Sequence, residues 1–111
     1  MKIFVEYEYG LLQYPEMMEI RSGSIISWSL RGVDVRGDWI RWMIYFPEDN
    51  PFHNEQSSSF STETIGRAGK HVGLTQALRA VETGHYKYGI RVIDMETDTI
   101  LVDDDPYLIV F

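Results

Sequence analysis

The sequence contains no cysteine, which removes several kinds of chemistry at once. Without a thiol the chain cannot form disulfides, thiolate zinc sites or iron–sulfur clusters, and it has no cysteine nucleophile. We therefore expect no cofactor. A chain of 111 residues is nevertheless long enough to fold around a hydrophobic core without such cross-links.

Long apolar runs are also missing. No stretch approaches the ~20 apolar residues that span a bilayer. The first residues cannot be the apolar core of a secretory signal, because Lys2, Glu6 and Glu8 place charges among them. The sequence therefore predicts a single cytoplasmic domain over residues 1–111, with no membrane partner.

Basic residues are few: ten lysines and arginines stand against 17 aspartates and glutamates, for a net charge of −7. An acidic chain repels a phosphate backbone, and no basic stripe interrupts this acidity. We expect no nucleic-acid partner.

Alternating apolar residues are abundant, and the strongest alternation covers residues 38–46. One face of this segment carries Ile40, Trp42, Ile44 and Phe46, and the other carries Trp39, Arg41, Met43 and Tyr45. A period of two residues is typical of a β-strand. Because both faces are largely apolar, we predict a central strand that is covered on both sides.

The same alternation predicts further strands along most of the chain. They cover 2–9, 17–21, 24–30, 60–65, 84–94, 99–103 and 107–111. Glycine-rich residues 66–73 are interpreted as a loop, and 74–80 fit either a strand, which is favoured, or a short helix. Turn signals every 8–12 residues favour an all-β, two-sheet antiparallel sandwich of seven to nine strands. Its predicted core is Ile26, Trp28, Ile40, Trp42, Ile44, Tyr86, Tyr88, Ile90, Val92, Leu108 and Val110.

Two segments resemble the cupredoxin-like sandwich. Residues 19–28 form a strand pair around a glycine and end in Trp28, and residues 82–88 contain Gly-x-Tyr-x-Tyr. Immunoglobulin-like sandwiches share such features, so the resemblance implies architecture. The cupredoxin copper cysteine falls two residues after the second tyrosine, where this chain has Ile90, and no histidine follows Ile90. Blue copper needs a thiolate and two imidazoles, so the resemblance implies a fold without its metal.

Two groups of residues are possible metal ligands. His53, His71 and His85 are the only histidines, and none is paired at a metal-binding spacing. Asp103, Asp104 and Asp105 form the densest acidic group. These carboxylates could hold Ca²⁺, although the EF-hand pattern is absent; the alternative is that they stabilise a turn before Pro106.

No catalytic motif is recognisable. The serines at 57–59 lack a Gly-x-Ser-x-Gly elbow, and residues 66–70 lack the spacing of a phosphate-binding loop. We therefore expect that the protein is not an enzyme.

Function is predicted to lie in the second face of the central strand, formed by Trp39, Arg41, Met43 and Tyr45. These residue types are enriched at the centres of protein interfaces. We predict a non-catalytic protein-interaction or accessory module that forms a homo-oligomer or a complex with another protein, through this face or the loop at 47–59. The alternatives are that these side chains are buried, or that exposed Trp39 and Tyr45 bind a carbohydrate or another small molecule.

Overall fold

A computed structural model describes residues 1–8, 10–32, 39–52, 60–67 and 69–111. For residues 32 and 69–72 the backbone alone is described. Twelve strands form in these ranges, and no helix does. They are β1 (Lys2–Glu8), β2 (Leu11–Gln13), β3 (Met17–Ile20), β4 (Ile25–Gly32), β5 (Trp39–Phe46), β6 (Phe60–Arg67), β7 (Gly69–Leu74), β8 (Leu78–Arg79), β9 (Gly84–Lys87), β10 (Gly89–Asp94), β11 (Thr99–Asp104) and β12 (Tyr107–Val110).

The strands form three hydrogen-bonded sheets. Sheet I has the order β2-β1-β4-β7, with β8 paired to the start of β4; sheet II has the order β11-β10-β5-β6; and sheet III has the order β3-β12-β9. Two pairs are parallel, β1 with β4 and β3 with β12, whereas every other ladder is antiparallel.

Two passes of the chain change sheets without a turn. β9 of sheet III continues through Tyr88 into β10 of sheet II, and β11 of sheet II continues through Asp105 and Pro106 into β12 of sheet III. The amide of Tyr88 donates to the carbonyl of Pro106 at 3.1 Å, so the two passes stay paired where they change sheets.

The core lies between the inner faces of the sheets, and every core residue predicted from the sequence is buried. The ring of Phe46 is at its centre. It stacks on Tyr88 with the centroids 5.2 Å apart and meets Phe52 edge-on at 5.4 Å. Trp28 lies 5.6 Å from Tyr88 and 6.4 Å from Phe46, so the three rings form one cluster. Such tilted and offset aromatic pairs stabilise a core beyond the area that they bury.

The predicted sandwich is confirmed as a class, while its details differ in two ways. The strands outnumber the predicted seven to nine, because the predicted strand that ends at Asp94 is divided at Tyr88 into β9 and β10 and because β2 and β7 were not predicted. The pairing is also not wholly antiparallel. The central position of β5, between β10 and β6, agrees with the prediction.

The prediction of a loop at residues 66–73 is wrong. β6 runs on to Arg67 and β7 occupies Gly69–Leu74. At Gly73, which lies in β7, a side chain would have no room, because a Cβ would lie 2.4 Å from Cγ2 of Thr64. Glycine thus permits a close approach of two strands, a role that sequence reasoning mistook for flexibility. Residues 74–80 contain no helix, and Leu78–Arg79 pair with Ile25 and Ile26.

No helix in the described part of the chain is long and apolar enough to cross a membrane.

Candidate functional site

The outer face of sheet II carries all four residues of the predicted interaction site. On β5, Ile40, Trp42, Ile44 and Phe46 are fully buried, and the alternate residues point outwards. Trp39 is 53% exposed. Arg41, Met43 and Tyr45 are half-buried. The sequence therefore assigned the two faces of the strand correctly, and the second face is only partly covered.

Strand register places more apolar side chains beside Arg41. Ile65 of β6 pairs with Arg41 on one side, and Ile93 of β10 pairs with it on the other. Ile93 in turn pairs with Ile100 of β11. Ile65 and Ile100 are each 53% exposed. A row of isoleucines thus crosses the whole sheet, interrupted only by Arg41.

Trp39 and Met95 form the next row. The amide of Met95 donates to the carbonyl of Trp39 at 3.2 Å, so the two residues are neighbours, and Met95 is 43% exposed. We call the surface formed by Trp39, Arg41, Ile65, Met95 and Ile100 the Arg41 patch. Contiguous exposed apolar side chains of this kind mark interaction sites on folded proteins.

Two arginines, Arg41 in the patch and Arg67 beside it, lie at this surface. Nη2 of Arg41 lies 3.8 Å from Oδ1 of Asp98, which is too long for a hydrogen bond. Nε of Arg41 is buried and has no acceptor among the described residues. The guanidinium of Arg67 lies over the Trp39 ring, 5.9 Å from its centroid. Arg41 is thus held by packing rather than by strong hydrogen bonds.

Tyr45, at the far end of β5, is held in a different way. Its hydroxyl donates to Oδ1 of Asp103 at 2.6 Å, and the guanidinium of Arg91 lies 4.8 Å from its ring centroid. Its ring also lies against Gly89, where a Cβ would come within 2.1 Å of Cζ. Burial, followed by the bond to Asp103, raises the pKa of the Tyr45 hydroxyl.

The three consecutive aspartates do not converge. Asp103 accepts from Tyr45 and from Nε of Arg91, the latter at 3.0 Å. Asp104 lies beside the hydroxyl of Tyr14, and Asp105 pairs with Nζ of Lys87 at 3.0 Å. Each carboxylate therefore has a cationic or hydroxyl partner of its own, and the three do not meet around one point as ligands of a calcium ion would.

The remaining metal candidates are dispersed. Ile90, at the position of the copper-site cysteine, is fully buried in β10 and pairs with Ile44. His85 is exposed on β9, His53 lies outside the described residues, and the side chain of His71 is likewise outside them. Within the described ranges no three histidine, aspartate or glutamate side chains are placed to hold a metal ion.

A cleft of about 310 Å³ opens beside Tyr45. β5 is paired with β10 as far as Tyr45 and Gly89, and the chain then turns away at Pro47. It returns at Pro51, whose carbonyl accepts from the amides of Val81 and Glu82 at 2.8 and 3.1 Å. Between these two points residues 47–49 and strand β9 line the cleft. None of the described backbone hydrogen bonds joins residues 47–49 to β9.

The edge of β9 towards this cleft has free backbone groups. Tyr107 and Phe111 donate their amides to Glu16 and Ile20, on the β3 side of β12. The even residues of β12 therefore bond to β9, with Leu108 opposite Tyr86. It follows that the N–H and C=O groups of His85 and Lys87 point away from β12, and no partner for them lies in the described ranges.

Sequence reasoning missed Ile65, Met95 and Ile100, and it missed the cleft. Ile65 lies in a strand whose alternation was visible, but only register shows that it is beside Arg41. The Tyr-x-Tyr pattern did place His85 and Lys87 together on one face of β9. The residues opposite them, Glu48 and Asp49, follow no pattern that links them to β9.

This three-sheet, all-β arrangement is a cupredoxin-like β-sandwich. Among solved structures the chain is similar to auracyanin B, with a TM-score of 0.56 and 10% sequence identity over 99% of this chain and 88% of that chain. An identity this low speaks for the fold alone. No protein-family model matches the sequence. A search of curated proteins found no match either.

Proposed function

We propose that the protein is a non-catalytic interaction module that binds another protein through the Arg41 patch. The observation that carries this proposal is the group of exposed apolar side chains, Trp39, Ile65, Met95 and Ile100, around one arginine on the outer face of sheet II. Tryptophan and arginine at the centre of a patch are the residue types that contribute most to binding energy in protein complexes.

Charge indicates the kind of partner surface. Arg41 lies 3.8 Å from Asp98 and Arg67 lies over the ring of Trp39, whereas the chain as a whole carries −7. Among the described residues, Arg41 also has hydrogen-bond donors without strong acceptors. A partner that is apolar at its centre and presents carboxylates at its rim would complement this surface. The acidity of the rest of the molecule acts weakly there, because physiological salt screens charges beyond about 8 Å.

A paired substitution tests the proposal. Trp39→Ala with Arg41→Glu removes the ring and reverses the charge, and we expect at least a tenfold loss of one specific partner in quantitative pull-down. The matched control is Phe4→Ala with Lys2→Glu on the outer face of sheet I, where Phe4 is 62% exposed. This control should retain the partner. The affinity of that partner for the protein and for both variants is then measured with purified proteins.

Light scattering on the same variants examines self-association. A dimer that the Trp39/Arg41 variant dissociates would identify the partner as a second copy. If both variants keep the same partners and mass, with circular dichroism unchanged, the patch is not an interface and the proposal fails.

A second candidate function is small-molecule binding, which the cleft beside Tyr45 favours. Its volume of about 310 Å³ lies at the lower end of the range of ligand sites. The rings of Trp39 and Tyr45 support small-molecule binding less than the cleft does, because Arg67 lies over the first ring and Arg91 over the second.

A further inference from the structure

We infer that the cleft between residues 47–49 and strand β9 binds a small organic dication, a compound with an ammonium or guanidinium group at each end. This inference names the ligand class of the second candidate function and rests on it. It uses neither the Arg41 patch nor the partner proposed for that patch.

The charge of the lining supports a cation. Glu48, Asp49 and Asp105 place three carboxylates around the cleft, and Lys87 supplies one ammonium. Lys87 pairs with Asp105 at 3.0 Å and also interacts electrostatically with Glu48, so among the described lining residues the carboxylates outnumber the ammonium by two. A ligand with two positive charges balances this excess.

The free edge of β9 supports a ligand that donates hydrogen bonds. The carbonyls of His85 and Lys87 point towards the cleft and have no partner within the described ranges. Ammonium and guanidinium groups have several donors and no acceptor. Carbonyls on one wall and carboxylates on the other would therefore satisfy the two ends of such a ligand, whereas an anion would be repelled by the carboxylates of Glu48 and Asp49.

The cleft is also built into the fold rather than formed by loose side chains. The pairing of β5 with β10 ends at Tyr45 and Gly89, and the bonds from Val81 and Glu82 to Pro51 fix the chain again after residues 47–49. Asp49 is fixed beside it, because Oδ1 accepts the amide of Asn50 at 2.9 Å. A preformed cleft costs a ligand little ordering free energy on binding.

Titration of the ¹⁵N-labelled protein with agmatine tests the inference. We expect saturable shifts centred on the amides of His85, Lys87 and Gly89, and weaker binding of the monocation butylamine. Glu48→Gln with Asp49→Asn should weaken agmatine binding at least tenfold. The matched control, Glu16→Gln with Glu19→Gln, removes the same charge at the exposed residues Glu16 and Glu19 and should leave the affinity unchanged.

Other outcomes overturn the inference in distinguishable ways. Shifts that never saturate, or an equal loss in both variants, would show general attraction to an acidic protein. Saturable shifts of the same amides with the neutral sugar methyl glucoside, and none with agmatine, would refute the dication but leave small-molecule binding in place. If neither compound shifts these amides, the inference and the second candidate function both fail.

Discussion

The ring of Tyr45 packs closely against Gly89 on the outer face of sheet II. A Cβ on residue 89 would come within 2.1 Å of Cζ of Tyr45, and the ring is held by the bond from its hydroxyl to Asp103. The side chain could avoid a methyl group only by giving up that bond and its contact with Arg91. The glycine is therefore required by its cross-strand neighbour rather than by a turn.

Gly89→Ala should consequently destabilise the protein by about 1–3 kcal/mol, the usual cost of overpacking. In a Tyr45→Ala background the same substitution should cost nothing or should stabilise slightly, because alanine restricts the unfolded chain. Urea unfolding of the four proteins in this double-mutant cycle measures the difference. Equal losses in both backgrounds would contradict the proposed contact.

At the scale of elements, β7 ends where a threonine side chain takes over its pairing with β4. The amide of Thr75 donates to the carbonyl of Trp28 at 2.9 Å, and the amide of Trp28 donates to Oγ1 of Thr75 at 2.8 Å. Thr75 is buried, so water does not substitute for this hydroxyl.

Thr75→Val keeps the shape of the side chain but leaves the amide of Trp28 without an acceptor. We expect a loss of about 1–3 kcal/mol in the free energy of unfolding, the cost of a buried unsatisfied donor. Thr75→Ser retains the hydroxyl and should lose much less. Urea unfolding compares the three proteins, and similar losses for serine and valine would show that packing, not the hydrogen bond, matters.

Element prediction succeeded where burial alternates and failed where it does not. β5 and β10 were predictable because one face of each is buried. β2 has three residues and no buried side chain, and the glycines of β7 disguise a strand. The Trp39 face was predictable for the same reason as β5, but Ile65 and Ile100 join it through register. The cleft lies where the pairing of β5 with β10 ends, and no local sequence pattern indicates that position.

On the scale of the whole molecule, several tyrosines are distributed around the core and share one electrostatic property. Burial, with Asp104 beside the hydroxyl, raises the pKa of Tyr14 to about 12. Burial also raises the pKa of Tyr45, Tyr86 and Tyr88. In the unfolded chain these hydroxyls titrate near pH 10, so the folded protein binds more protons above that pH.

The contribution of these tyrosines to stability is therefore complete below about pH 10 and is lost as the pH rises towards 12. We expect the urea midpoint to fall over this range, and Tyr14→Phe should make the fall less steep. Tyr107→Phe, at an exposed tyrosine of β12, is the matched control. A midpoint that is independent of pH above 10, or an equal effect of both variants, would contradict the prediction.

The parallel pairing of β3 with β12 sets the order in which the molecule can fold. Met17 pairs with Tyr107, so sheet III joins segments separated by nearly the whole chain. β12 is the middle strand of that sheet, and neither β3 nor β9 has its partner before β12 arrives. Loop-closure entropy is lost before such contacts form, which places folding in the slow regime of milliseconds to seconds. Until β12 arrives, the backbone groups of β3 and β9 that bond to it have no partner, and both strands offer open edges with which another chain could pair.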